Sequence, residues 1–167
     1  IPLDSEGLIV SALDQCPDKI KAVYITPNHQ DPTGAIMSLK RRQELLEWAD
    51  KNNAWILEDD YDGNFYYAGE PPEHFWTLNP DANVIYIASF WQILYPLTTI
   101  SVCVVPQSLV SYITAVKKLQ TDDMADAMVQ LTLAQLLGDG YLEKHLSRVQ
   151  KAFAKRRIAA MRALKSV

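Results

Sequence analysis

The sequence is poor in the groups that usually announce covalent staples or metal chemistry. Only two cysteines occur in 167 residues, Cys16 and Cys103, far apart and in apolar surroundings. That leaves no disulfide framework, and both are read as small buried hydrophobes in a reducing compartment. Three histidines are scattered with no Cys/His spacing suited to a metal. No apolar run approaches the roughly 18 residues of a spanning helix, and the chain opens without a charged-then-apolar leader. A cytoplasmic protein without a membrane partner is therefore the expectation. A net charge of −4 gives no general attraction to nucleic acid or an anionic surface.

What is present suits one domain with a real core, since 49% of the residues are hydrophobic. Pro2 keeps the opening extended, and Asp4 or Ser5 is placed to cap a short helix through Leu13, ending before Pro17. Residues 21–26 read as a buried strand that stops at Pro27, and residues 27–34 are dense in turn formers. Ser38 caps a helix from Leu39 to Asn52. Its apolar face carries Leu39, Leu45, Leu46 and Ala49, and Asn52-Asn53 forms the stop. Residues 54–57 form the next strand, running into Glu58-Asp59-Asp60-Tyr61-Asp62. After a Tyr- and Phe-rich loop and a helical turn at 73–78, two apolar β-branched runs, 84–88 and 100–105, flank a polar-aromatic elbow centred on Gln92. Three helices follow: 107–119, one from a Thr121 or Asp122 cap to Leu137, and 141–166.

Strand–helix–strand alternation with continuously apolar strands predicts an α/β fold. The sheet should hold about four strands, parallel or mixed, with flanking helices and a long helix at the end. The connection after residue 88 is too short for a helical crossover, so the last strand is antiparallel or a special case.

A buried strand delivers the acidic run to the sheet edge where α/β proteins bind ligands. It could hold a divalent cation, supply a general acid/base pair, pair with a cationic ring nitrogen of a cofactor, or simply be a solvated turn. His29 sits in the loop after the first strand, at the same expected edge. Thr33-Gly34 is a tight turn that allows backbone approach to an anion, a weak signal alone. The last helix carries Lys144, Arg148, Lys151, Lys155, Arg156, Arg157, Arg162 and Lys165 opposite an apolar stripe of Leu142, Leu146, Val149, Phe153, Ile158, Met161 and Leu164. That pattern is a solvated basic face; no aromatic platform accompanies it to suggest nucleic acid. At the elbow, Ser89 is the one weak candidate nucleophile.

Three blocks in order carry a family resemblance. They are Thr26-Pro27-Asn28-His29-Gln30-Asp31-Pro32-Thr33-Gly34, then Glu58-Asp59-Asp60-Tyr61-Asp62, then Ser89-Phe90-Trp91-Gln92-Ile93-Leu94-Tyr95-Pro96. Their kind and spacing resemble the fold type I pyridoxal-phosphate aminotransferase superfamily. More narrowly, the chain looks like the aminotransferase-like domain of MocR/GabR-type transcriptional regulators. The resemblance implies that Asp59 pairs with the pyridine nitrogen, Tyr61 lies near the ring oxygen, Ser89 approaches the phosphate and the His29 loop passes beside the ring.

The elbow then departs from the family pattern. The Schiff-base lysine falls on Gln92, which has no amine nucleophile. A phosphate serine falls on Trp91, a glycine on Leu97 and a phosphate-side arginine on Thr99. These implied losses concentrate on one ligand. No catalytic residue is therefore expected, and Asp59, Tyr61, Ser89 and His29 are vestigial cofactor contacts. Pyridoxal phosphate is not bound covalently and its binding is open to loss. By comparison with the family, residues 1–138 read as the second half of a large domain and 139–167 as a linking helix toward a small domain. The expected role is a regulatory or interaction module without transaminase activity, which self-associates or is completed by a partner chain. The alternative is a family member that still binds pyridoxal phosphate, non-covalently or with a partner's help.

Overall fold

In the computed structural model, residues 1–67, 70, 72–96, 98, 100–120 and 123–165 are described. The chain opens with a hairpin, β1 (Leu3–Asp4) against β2 (Gly7–Leu8), antiparallel, with Gly7 at φ +87°. A 3-10 turn over Val10–Gln15 follows. The expected helix from Asp4 or Ser5 is thus not formed. Asp4 instead accepts the Glu6 N–H and an ion pair from Arg41 at 2.9 Å, a contact 37 residues away that no local signal reveals.

The remaining strands make one mixed sheet in the order β3 (Ala22–Ile25), β4 (Trp55–Asp60), β5 (Val84–Ser89), β6 (Ser101–Val104). The first three are parallel, and β6 pairs antiparallel with β5, the first of the two alternatives its short connection allowed. Between β3 and β4 lies α1 (Leu39–Asn52). Ser38 Oγ accepts the Arg41 N–H at 3.2 Å, and Asn53 ends the helix in the left-handed region at φ 49°. Both are local capping devices, which is why the sequence places them correctly.

The core sits between α1 and one face of β3–β5, where Val23, Ile25, Leu45, Ala49, Ile56, Phe75 and Val84 are buried together. Leu39, expected there, is half exposed; Trp48 takes its share of the contact. β4 continues through the acidic residues to Asp60 rather than ending at Leu57. Its side chains alternate, with Ile56, Glu58 and Asp60 buried on the core face.

A four-residue turn, α2 (Phe75–Leu78), precedes β5, and the elbow winds into α3 (Trp91–Leu94). The three expected helices are α4 (Gln107–Gln120), α5 (Asp123–Gly138) and α6 (Tyr141–Leu164). The proposed cap at Thr121 or Asp122 lies outside the described residues. A second, smaller cluster joins Ile93, Leu133 and Leu142. Much of the α6 stripe is exposed: Ile158, Met161 and Leu164 face outward, Phe153 is partly exposed, and only Leu142 is buried. Cys103 is exposed on β6, contrary to its expected burial, because it lies on the edge strand. No described helix is long and apolar enough to cross a membrane.

Candidate functional site

The turn-rich loop after β3 is held by its own backbone. Met37 N–H donates to Pro27 O at 2.9 Å, Gln30 N–H to Ala35 O at 2.8 Å, and Gly34, at φ +72°, donates to Gln30 O. Thr26 Oγ1 accepts the Asp31 N–H at 2.9 Å. This fixes His29 beside the strand that follows α1. Its Nδ1 lies 2.9 Å from the Asp62 carboxylate, and the Tyr61 hydroxyl donates to His29 O at 2.9 Å. The two loops are therefore tied to each other across the C-terminal ends of β3 and β4.

Together with α6 they enclose a cavity of about 560 Å³. His29, Asp31, Tyr61 and Asp62 line one side, and Phe65, Tyr66, Tyr67, Phe153 and Arg157 the other; Gln92 reaches in from α3. Phe65 and Phe153 pack with ring centroids 4.9 Å apart, and the Arg157 guanidinium lies over the Tyr67 ring at 5.4 Å. No lysine is among the described residues that line it.

The residues singled out in the sequence divide into two groups. His29, Tyr61 and Gln92 meet in this cavity. Asp59 and Ser89 do not line it. They share the other sheet face, since Asp59 pairs in register with Ile87, two residues before Ser89. Asp59 accepts a hydrogen bond from the Tyr24 hydroxyl, which holds that phenol's pKa up to about 12. Ser89 Oγ accepts the Trp91 N–H at 3.1 Å. Thr99 and Leu97 lie outside the described residues, while Trp91 is exposed with its ring edge-on to Tyr95. The acidic run does not converge on one point: Glu58 and Asp60 point into the core face and Asp59 to the opposite one. Among the described residues, no group of three or more His, Cys, Asp or Glu side chains is arranged to hold a metal ion.

Sequence reasoning missed the polar layer beneath the cavity. Arg42, fully buried on α1, donates to Met37 O, Glu73 O, Pro27 O and Asn28 Oδ1 at 2.9–3.1 Å. Asn28 passes the link on to Asp60 at 2.7 Å, and Tyr86 OH donates to the other Asp60 oxygen at 2.8 Å. Burial, and then the neighbouring Asp60 carboxylate, drive the Tyr86 phenol pKa well above its ordinary value. The fully buried Glu58 accepts the Phe75 N–H and contacts His74 Nδ1, each at 3.0 Å. Gly63 is required here, because a Cβ would collide with the Asp60 carboxylate. The one available signal was an arginine within the apolar period of α1, since a buried arginine demands carbonyl or carboxylate partners.

No protein-family model matches the chain. It is 35% identical over 164 residues to the uncharacterized HTH-type transcriptional regulator YdeL of Bacillus subtilis, covering 98% of this chain and 35% of that protein. It is 30% identical over 156 residues to the probable rhizopine catabolism regulatory protein MocR of Rhizobium meliloti, covering 93% of this chain and 31% of that protein. The crystal structure of Pyrococcus horikoshii kynurenine aminotransferase, in complex with PMP, superimposes with a TM-score of 0.86 at 32% identity, covering 99% of this chain and 42% of that one. The mixed sheet, its two ligand-edge loops and these matches mark an aminotransferase-like domain with the fold of the fold type I pyridoxal-phosphate aminotransferases. Within that fold, the likeness is to the aminotransferase-like domain of MocR-type regulators. The chain spans about a third of the length of these curated relatives.

Proposed function

We propose that this chain is a non-catalytic aminotransferase-like segment, a binding and interaction module that keeps the family's ligand cavity without its covalent chemistry. The observation that carries this reading is Gln92. It reaches the cavity shared by His29 and Tyr61, and an amide cannot supply the amine that transamination by a bound pyridoxal cofactor requires. When bound, that cofactor acts as an electron sink for bonds at the substrate's α-carbon. In this chain, Asp59 Oδ2 is engaged by the Tyr24 hydroxyl, leaving Oδ1 for a ring nitrogen, while Tyr61 can donate to a ring oxygen only by giving up its bond to His29 O. Ser89 offers one hydroxyl for a phosphate. The residues suit a loosely held ring better than a covalently attached one.

Exposed apolar side chains support the interaction half of the reading. Val116, Leu119, Met128, Leu131 and Leu164 all lie more than half exposed on α4–α6. Such a surface favours self-association or a partner chain that completes the domain.

The test is a transamination assay with pyridoxal phosphate and a panel of amino-acid donors. The reading expects turnover no faster than free cofactor; turnover abolished by Asp59→Asn would overturn it. A second reading, non-covalent cofactor binding, is favoured by the survival of Asp59 and Tyr61 at the sheet edge. Equilibrium dialysis against pyridoxal phosphate distinguishes it: saturable binding weakened by Asp59→Asn supports that reading, and its absence removes it.

A further inference from the structure

Beyond the end of β4 at Asp60, residues 61–67 carry five of the residues that wall the cavity, Tyr61, Asp62, Phe65, Tyr66 and Tyr67, and the chain is again held against β4 at His74. The returning end is held by carboxylates of β4, which face both ring nitrogens of His74. His74 Nδ1 lies 3.0 Å from Glu58 Oε1, and its Nε2 lies 3.9 Å from Asp60 Oδ2. Glu58 Oε2 also takes the N–H of Phe75, the next residue along.

The charges decide what His74 must be. Glu58 is fully buried and Asp60 nearly so. Among the described residues, the one other cation beside them is Arg42, whose nearest approach to Glu58 is 3.8 Å and whose described hydrogen bonds all go to carbonyl oxygens and Asn28. Two buried carboxylates with a single guanidinium leave one charge uncompensated, an expensive state in a low-dielectric layer. A charged imidazole balances them. The other groups facing His74 are the Tyr86 ring, edge-on at 4.8 Å, and Glu143 of α6, which lines the same cavity of about 380 Å³. Neither adds a positive charge. His74 keeps 28% of its side-chain exposure, so it can exchange protons with solvent.

We propose that His74 is a positioning residue: its imidazolium bridges Glu58 and Asp60 and thereby latches residues 61–67, which wall the candidate ligand cavity. The hydrogen bond to Glu58, ahead of the cost of burial, raises the His74 pKa above its ordinary value. The sign follows from that direction. The latch is fully present below about pH 6.5, the unfolded histidine value, and is lost as pH rises through the raised folded value. The ligand cavity is then ordered in mildly acidic solution and loosened in alkaline solution.

The proposal rests on the reading that this cavity is the ligand site, but its test needs no ligand. Amide hydrogen exchange of the whole chain is followed from about pH 6 to about pH 9, corrected for intrinsic rates. Protection in residues 61–67 is expected to fall about tenfold across the range, while the second half of α1 stays level. In His74→Gln, which keeps a hydrogen bond but not the charge, the profile should be flat at the wild-type alkaline level. In His29→Gln the step should survive, since His29 pairs with Asp62 instead. A flat wild-type profile, a step that persists in His74→Gln, or a step lost in His29→Gln would each overturn the proposal. Failure of any ligand to bind would count against the functional reading and leave this result untouched.

Discussion

The two halves of the chain are built on different terms. From β3 to β5, apolar side chains are buried against α1, and a polar layer of Arg42, Asn28, Glu58, Asp60, His74 and Tyr86 is fully partnered. From β6 to α6, four strand residues and most helix side chains remain exposed, and three buried residues, Ile93, Leu133 and Leu142, tie the helices to α3. The first half is internally satisfied; the second presents apolar area that the described residues do not cover. The candidate cavity lies where they meet, with its floor from the first half and Phe153 and Arg157 from the second. Its precision therefore comes from the polar layer rather than from the helices.

That contrast can be broken from either side. The largest effect should come from Arg42→Leu, which strands three carbonyl oxygens and Asn28 Oδ1 in the core and removes the guanidinium charge beside Glu58. A loss of about 3–5 kcal/mol is expected in urea unfolding. Leu45→Ala, at a fully buried position, should cost about 2–5 kcal/mol by the same measurement. Gly63→Ala forces a Cβ against the Asp60 carboxylate and should cost about 1–3 kcal/mol, read as a lowered midpoint. Leu131→Ser, two-thirds exposed on α5, should change monomer stability by less than about 0.5 kcal/mol. Its visible effect should be weaker self-association in sedimentation velocity. A loss of stability from Leu131→Ser that rivals Leu45→Ala would erase the difference between the halves.

The sequence revealed what is encoded locally. Ser38 and Asn53 bound α1 because a cap and a left-handed stop act within one turn of the chain. The short link before β6 restricted its direction, and the motif order located Gln92 beside His29 and Tyr61. Hidden from it was whatever depends on distant partners. Asp4 turned into a hairpin residue through Arg41, and Glu58 and Asp60 extended β4 because Asn28, His74 and Tyr86 satisfy them across the fold. Asp59 read as a cofactor contact, but its present partner is Tyr24, a pairing set by strand register rather than by spacing.

The central claim is that the cavity is kept while its covalent chemistry is gone. The direct measurement is borohydride reduction of the protein after equilibration with pyridoxal phosphate, followed by peptide mass spectrometry. The account predicts no lysine labelled stoichiometrically in the wild-type chain. One lysine carrying near-complete pyridoxyl label, with labelling prevented when a competing amino acid is added before reduction, would contradict it.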